Sequence, residues 1–78
     1  MIWTWDAAAP GCSAAGACHD EERALRAAET WMRENQACAG RVAPVGLDVV
    51  ELAYVPAGRP LEAIRHRDDR ITWRPAAA

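Results

Sequence analysis

The chain has no phenylalanine, no lysine and only one tyrosine. It also lacks any apolar run near the roughly 20 consecutive residues that a bilayer-spanning helix needs. The opening residues Met1-Ile2-Trp3-Thr4-Trp5-Asp6 have neither the basic region nor the long apolar stretch of a secretory leader. The expected compartment is therefore the cytoplasm, with no membrane partner. Sequence signatures of catalysis are missing as well. There is no G-x-S-x-G elbow, no phosphate-binding glycine loop, no H-E-x-x-H and no C-x-x-C. The acidic clusters Asp20-Glu21-Glu22 and Asp68-Asp69 are accounted for by helix-start and turn chemistry, so no carboxylate dyad stands out. The chain reads as non-catalytic, with no cofactor.

Cysteine is scarce, and its spacing argues against a metal. Cys12, Cys18, His19 and Cys38 are the only soft or imidazole donors that zinc could draw together near one another in sequence. The C-x5-C-H spacing has no tight knuckle, and Cys38 would sit at the far end of a helix about 27 Å from His19. An odd count of three also rules out complete internal pairing. Cys38 is expected as a small core residue. Cys12 and Cys18, in a flexible segment, are expected to be able to cross-link to each other. Cys18 beside a helix N-terminus is the thiol with an argument for reactivity.

Against these absences stand four tryptophans, Trp3, Trp5, Trp31 and Trp73, in 78 residues. A buried tryptophan covers about 150–250 Å², so these four are expected to supply most of a small core and to bring the chain ends together around one helix. A chain of this length makes one domain and buries only about 60% of its unfolded surface. A partner protein or a second copy is therefore a natural expectation. Alanine fills 18 positions, and all nine basic residues are arginine. In this composition and in the Trp3-Thr4-Trp5 opening the chain resembles short uncharacterised proteins of high-GC actinobacteria. That resemblance carries no functional motif and implies no site.

Hydrophobic periodicity divides the chain further. Ile2 to Asp6 alternates as a strand, with Trp3 and Trp5 on one face. Residues 7–19, with Pro10, Gly11, Ser13 and Gly16 among alanines, read as a flexible loop. Asp20 is a helix N-cap, and Ala24, Leu25, Ala28, Trp31, Met32 and Cys38 form an apolar stripe that predicts a helix over about 20–38, stopped at Gly40. Strands are expected near 45–55, 61–67 and 70–74, with a frayed tail over 75–78. The middle strand changes parity: Val45, Leu47 and Val49 share one face, and Val50, Leu52 and Tyr54 the other. That switch suggests a β-bulge, or a strand from Leu47 covered on both faces. Pro56-Ala57-Gly58 reads as a closing turn. The expected fold is α+β, a small β-α-β-β-β domain with one helix packed on an antiparallel sheet.

Charge points to one candidate surface. Residues 1–58 carry four arginines and eight acids, whereas residues 59–78 carry five arginines and three acids. A two-residue hairpin loop at Asp68-Asp69 would oppose Arg67 to Arg70 and Ile64 to Trp73. Ile64, His66, Ile71 and Trp73 would then line the core. Arg65, Arg67, Arg70 and Arg74 would share the other face with Thr72. Such a face could hold an anion, since guanidinium offers a bidentate fork to phosphate or carboxylate. It could equally be a solvated surface in a chain that uses no lysine. The leading functional expectation is a small non-catalytic interaction or regulatory protein, acting through a protein partner or a homodimer. The alternative is a nucleic-acid-binding accessory protein using those arginines, although the acidic net charge of −2 runs against non-specific binding.

Overall fold

One β-hairpin and a helix account for most of the first half of the chain. The computed structural model describes residues 2–48, 50 and 52–76. In chain order the elements are β1 (Ile2–Ala9), β2 (Cys12–Cys18), α1 (Glu21–Asn35), β3 (Ala39–Asp48), β4 (Ala53–Pro56), β5 (Leu61–Arg65) and β6 (Ile71–Pro75). The strands form one antiparallel sheet in the order β2-β1-β3-β5-β6, and β4 pairs with the far end of β3. The α+β class and the helix on an antiparallel sheet are as the sequence predicts. The order is β-β-α-β-β-β-β, two strands more than expected: β4, because the expected strand over 45–55 is a hairpin, and β2 at the start.

That extra strand replaces the expected loop over residues 7–19. β1 runs on to Ala9, and β2 returns beside it from Cys12 opposite Ala9 to Cys18 opposite Trp3. Pro10-Gly11 makes the two-residue turn, with Gly11 at φ 84° supplying the left-handed position that a turn with proline before glycine requires. Alanine has little intrinsic strand preference. Pairing with β1 decides the conformation of β2, and no periodicity within the segment could reveal it. Gly16 has a particular reason to be glycine. A Cβ there would lie 2.5 Å from the Trp5 indole nitrogen, so the ring lies over the bare backbone.

The helix begins as the cap chemistry predicts. Asp20 has extended backbone and its carboxylate accepts from Arg23 N at 2.8 Å. It ends earlier than expected, at Asn35, because Gln36 turns left-handed at φ 55° and Ala37 N donates to Met32 O at 2.9 Å. Gly40 is thus not the helix stop but part of β3. A Cβ on it would come 2.8 Å from the Met32 sulfur, so the helix passes too close for any side chain. Cys38 lies beyond the helix and is exposed, not a core residue.

Small side chains fill the helix–sheet contact. Ala7, Ala24, Ala28, Met32, Ala37, Val42 and Ala63 are buried there. The tryptophans do not form that centre; all four are half-buried and pack against its margins. Trp3 and Trp5 do share the helix-facing side of β1, as their alternation predicts. Trp73 closes the opposite margin. It touches both groups of buried residues, and its indole N–H donates to Glu29 Oε1 at 2.7 Å.

The strand expected over 45–55 is neither bulged nor continuous. It is a hairpin, with Val45 opposite Pro56 and Leu47 in register with Tyr54, so the parity change marks a reversal of the chain. The bulge lies later. β4 and β5 both run along the same edge of β3, but Val45 opposes Pro56 whereas Val42 opposes Leu61, leaving two extra residues over 57–60. Pro56-Ala57-Gly58 therefore carries the chain onward rather than closing a turn. Val49 and Glu51 of this stretch, Met1, and Ala77 and Ala78 of the expected tail lie outside the described residues.

Two stability tests follow. Gly16→Val should lower unfolding free energy by about 1–3 kcal/mol by overpacking against Trp5, whereas Ala17→Val on the exposed face should change it by less than about 0.5 kcal/mol. Urea denaturation of both variants measures the difference. Trp73→Ala should cost about 3 kcal/mol, the low end for a truncated core tryptophan, and more than Trp31→Ala, which touches one buried group. Equal midpoints for the two would contradict the placement of Trp73 across both.

Candidate protein interface

The last hairpin decides where the arginines go. Arg65 opposes Ile71, Ile64 opposes Thr72, Ala63 opposes Trp73 and Glu62 opposes Arg74. This is one residue away from the register that a two-residue loop imposes, and a shift of one sends every side chain to the other face. The loop holds three residues, Arg67, Asp68 and Asp69, closed by the bond from His66 N to Arg70 O at 2.8 Å. Asp69 takes the left-handed position at φ 65°, the conformation that ends a three-residue hairpin loop. Asp68 accepts from Arg70 N at 3.1 Å.

The expected arginine face is consequently divided. Arg65 turns toward the helix side and is largely buried, its side chain 16% exposed. Its guanidinium donates from Nε to Ala37 O at 2.8 Å, from Nη2 to Gln36 O at 3.1 Å and from Nη1 to Asp69 Oδ1 at 2.7 Å. Its backbone N–H donates to Cys38 O. Arg65 thus ties the helix C-terminus to the β5–β6 loop. Arg67 and Arg70 are exposed in and beside that loop, while Arg74 lies on the sheet face away from the helix. Ile64 leaves the core for that same face at 37% exposure, and Ala63 takes its place. The His66 ring meets the Thr72 hydroxyl at 3.0 Å on the open side.

The open face is ordered by charge. Asp6 opposes Arg41, Arg41 opposes Glu62, and Glu62 opposes Arg74, so signs alternate in one row across β1, β3, β5 and β6. Opposite charges in directly facing positions favour this register. Ala8, Ala39 and Ile64 form the adjacent row, and between the two lies a shallow depression of about 440 Å³. The cysteines are separated: Cys12 and Cys18 end the same strand, about 20 Å apart along an extended chain. They cannot pair within one molecule, contrary to the expectation from a flexible loop, nor meet Cys38 and His19 at one ion.

Exposed apolar side chains are concentrated elsewhere. Leu47 is 58% exposed, Val50 86%, Leu52 81% and Val55 39%. All four belong to the β3–β4 hairpin. Ile2 lies opposite Val45, and among the described residues the part of β3 beyond Val45 has β4 beside it but not β1. The helix packs on β1, β2 and β3. The hairpin is therefore an arm that extends from the body, in a molecule 44 Å long and 24 by 21 Å across. Leu52 holds φ 53°, an uncommon conformation for a branched side chain. In the sequence Leu47, Val50 and Leu52 show only as part of a parity change, and Val55 carries no signal. An apolar alternation interrupted by four residues is the signal that marks a hairpin arm.

Arg65→Ala should destabilise the fold by about 1–3 kcal/mol, since it leaves the carbonyl of the buried Ala37 and that of Gln36 without their donor. Arg67→Ala and Arg74→Ala should remain within about 0.5 kcal/mol of the parent. Thermal melts of the three variants distinguish this division from a uniform arginine surface. No family model, no curated protein and no solved structure matches this chain.

Proposed function

We propose that this chain is a small non-catalytic interaction protein that acts through a protein partner, which it engages with the β3–β4 arm. The observation that carries the reading is the clustering of Leu47, Val50, Leu52 and Val55 on one two-stranded extension. Isolated apolar residues on a surface are ordinary, but several exposed on one short extension favour a partner. A two-stranded ribbon outside the cover of the helix also gains little from its own core, and docking would bury its apolar side chains. The rival nucleic-acid role through Arg65, Arg67, Arg70 and Arg74 loses the shared face on which it would rest, because Arg65 is engaged with the helix end.

The test compares the parent with a Leu47→Ser, Leu52→Ser double variant. Both residues are exposed, so the variant should keep the parent melting curve. A partner recovered with the parent from its native cells should be lost with the variant. The purified pair should then form a complex of defined stoichiometry in light scattering, with the affinity at least tenfold weaker for the variant. Recovery of the same proteins by both would remove the arm from the function.

A further inference from the structure

Among the described residues three outer strands, β2, β4 and β6, bound the sheet, and they are unequally open to another strand. The bond from Arg65 N to Cys38 O sets which residues of β5 face β3. In an antiparallel ladder successive residues direct their N–H and C=O to alternate sides. Carried through the registers from β5 to β3, β1 and β2, this alternation leaves the backbone groups of Ser13, Ala15 and Ala17 pointing outward from β2. By the same count, Pro75 occupies an outward position on β6 and Pro56 one on β4. Each lacks the N–H that an added strand would require. β6 is further guarded by Arg74, and β4 is only four residues long. β2 is seven residues long and has no proline and no charge. The devices that block edge pairing are present at two edges and missing from the third.

We infer that β2 is a self-association edge and that its occupant is β2 of a second copy, antiparallel about a two-fold axis at Ala15. The inference extends the interaction reading to a second copy and does not depend on the arm. The choice of occupant comes from self-complementarity. With Ala15 opposite its own symmetry mate, Ser13 faces Ala17 and Ala17 faces Ser13, so outward groups meet outward groups in about six backbone hydrogen bonds. Other registers of the right parity leave part of the strand without a partner. The even-numbered residues of β2 face the helix side, so this register makes one continuous sheet with both helices on the same face. Cys12 of each copy falls opposite Cys18 of the other, in a non-hydrogen-bonded pair. Such a pair has Cα atoms about 4.5 Å apart, within the range a disulfide accepts.

A second feature faces the same way. Trp5 leans over Gly16 of β2. With Trp31, Ala27 and Thr30 it borders an open depression of about 450 Å³ along that flank of the helix. The two-fold would bring two such depressions face to face above the paired β2 strands and turn an open flank into a cleft between helices. Small residues along β2 leave room for it.

The test uses the full chain carrying Cys38→Ser, so that Cys12 and Cys18 are the only thiols. Light scattering under reducing conditions should give twice the chain mass. Mild oxidation with diamide, which takes up the two hydrogens released as each pair of thiols becomes a disulfide, should then yield a covalent dimer. Peptide mapping should find Cys12 joined to Cys18. Cys12→Ser or Cys18→Ser should each abolish that dimer, because like cysteines lie at opposite ends of the paired strands. Ala15→Lys places two like charges opposite each other on the axis and should weaken the dimer at least tenfold with the melting curve of the monomer retained. The Leu47→Ser, Leu52→Ser arm variant should dimerise as the parent does. A monomer at all concentrations, a Cys12–Cys12 link, or a dimer that tolerates Ala15→Lys but fails in the arm variant would overturn the assignment. None of these results decides whether the arm binds its own partner.

Discussion

The approach of the helix to the sheet, set by the small residues between them, governs the rest of the molecule. Ala24 and Ala28 on the helix meet Val42 and the strands beneath with no exposure, and Ala7, Ala37 and Ala63 pack around Met32 in the same layer. Gly40 is the strictest point, where the Met32 sulfur occupies the space a side chain would need. With the centre so thin, bulky residues have no place under the helix. The tryptophans are displaced to its flanks, Trp3, Trp5 and Trp31 toward β1 and β2, and Trp73 over β6. They cover the seam between layers instead of filling a central volume. Stability of so small a domain is then spread along its margins, where aromatic area and single polar contacts such as Trp73 to Glu29 carry much of the closure.

The same proximity explains how the helix ends. A chain held close to β3 must turn sharply to enter it, and Gln36 does so in the left-handed conformation. The carbonyls left over at that end are met by Arg65 from β5, which also holds Asp69 in the next loop. One guanidinium therefore joins the helix end, the central strands and the last hairpin. That structural role removes it from the surface to which an even-handed count of arginines assigns it. What remains on the open face is a row of alternating charge, consistent with a face turned to water.

Surfaces for association sit away from both the helix and this charged row. The arm extends past the last described pair of β1 with β3, Ile2 with Val45, and its apolar side chains are exposed. The β2 edge is at the other side of the sheet, without charge or proline, beside a flank that Trp5 and Trp31 help to line. The two surfaces are separate, so one chain can pair with its own copy and still present its arm.

Local chemistry was enough to determine several features from the sequence alone. Asp20 as a cap, the amphipathic stripe through Ala24, Ala28 and Met32, and the alternation of Trp3 and Trp5 are each written within a few residues, and each appears in the structure. The α+β class followed from them. Tertiary structure decided the rest. β2 is alanine and glycine without a period, and becomes a strand only because β1 is alongside. The helix stops at Asn35 because β3 must begin beneath it, although the apolar stripe continues to Cys38. The loop at Arg67, Asp68 and Asp69 holds three residues instead of two, and Asp69 in the left-handed region sets that length. A single residue in that count moves Arg65 from surface to interior and Ile64 from interior to surface. Side-chain faces in a hairpin depend on register, and register is settled by pairing across the whole sheet, which no short stretch of sequence contains.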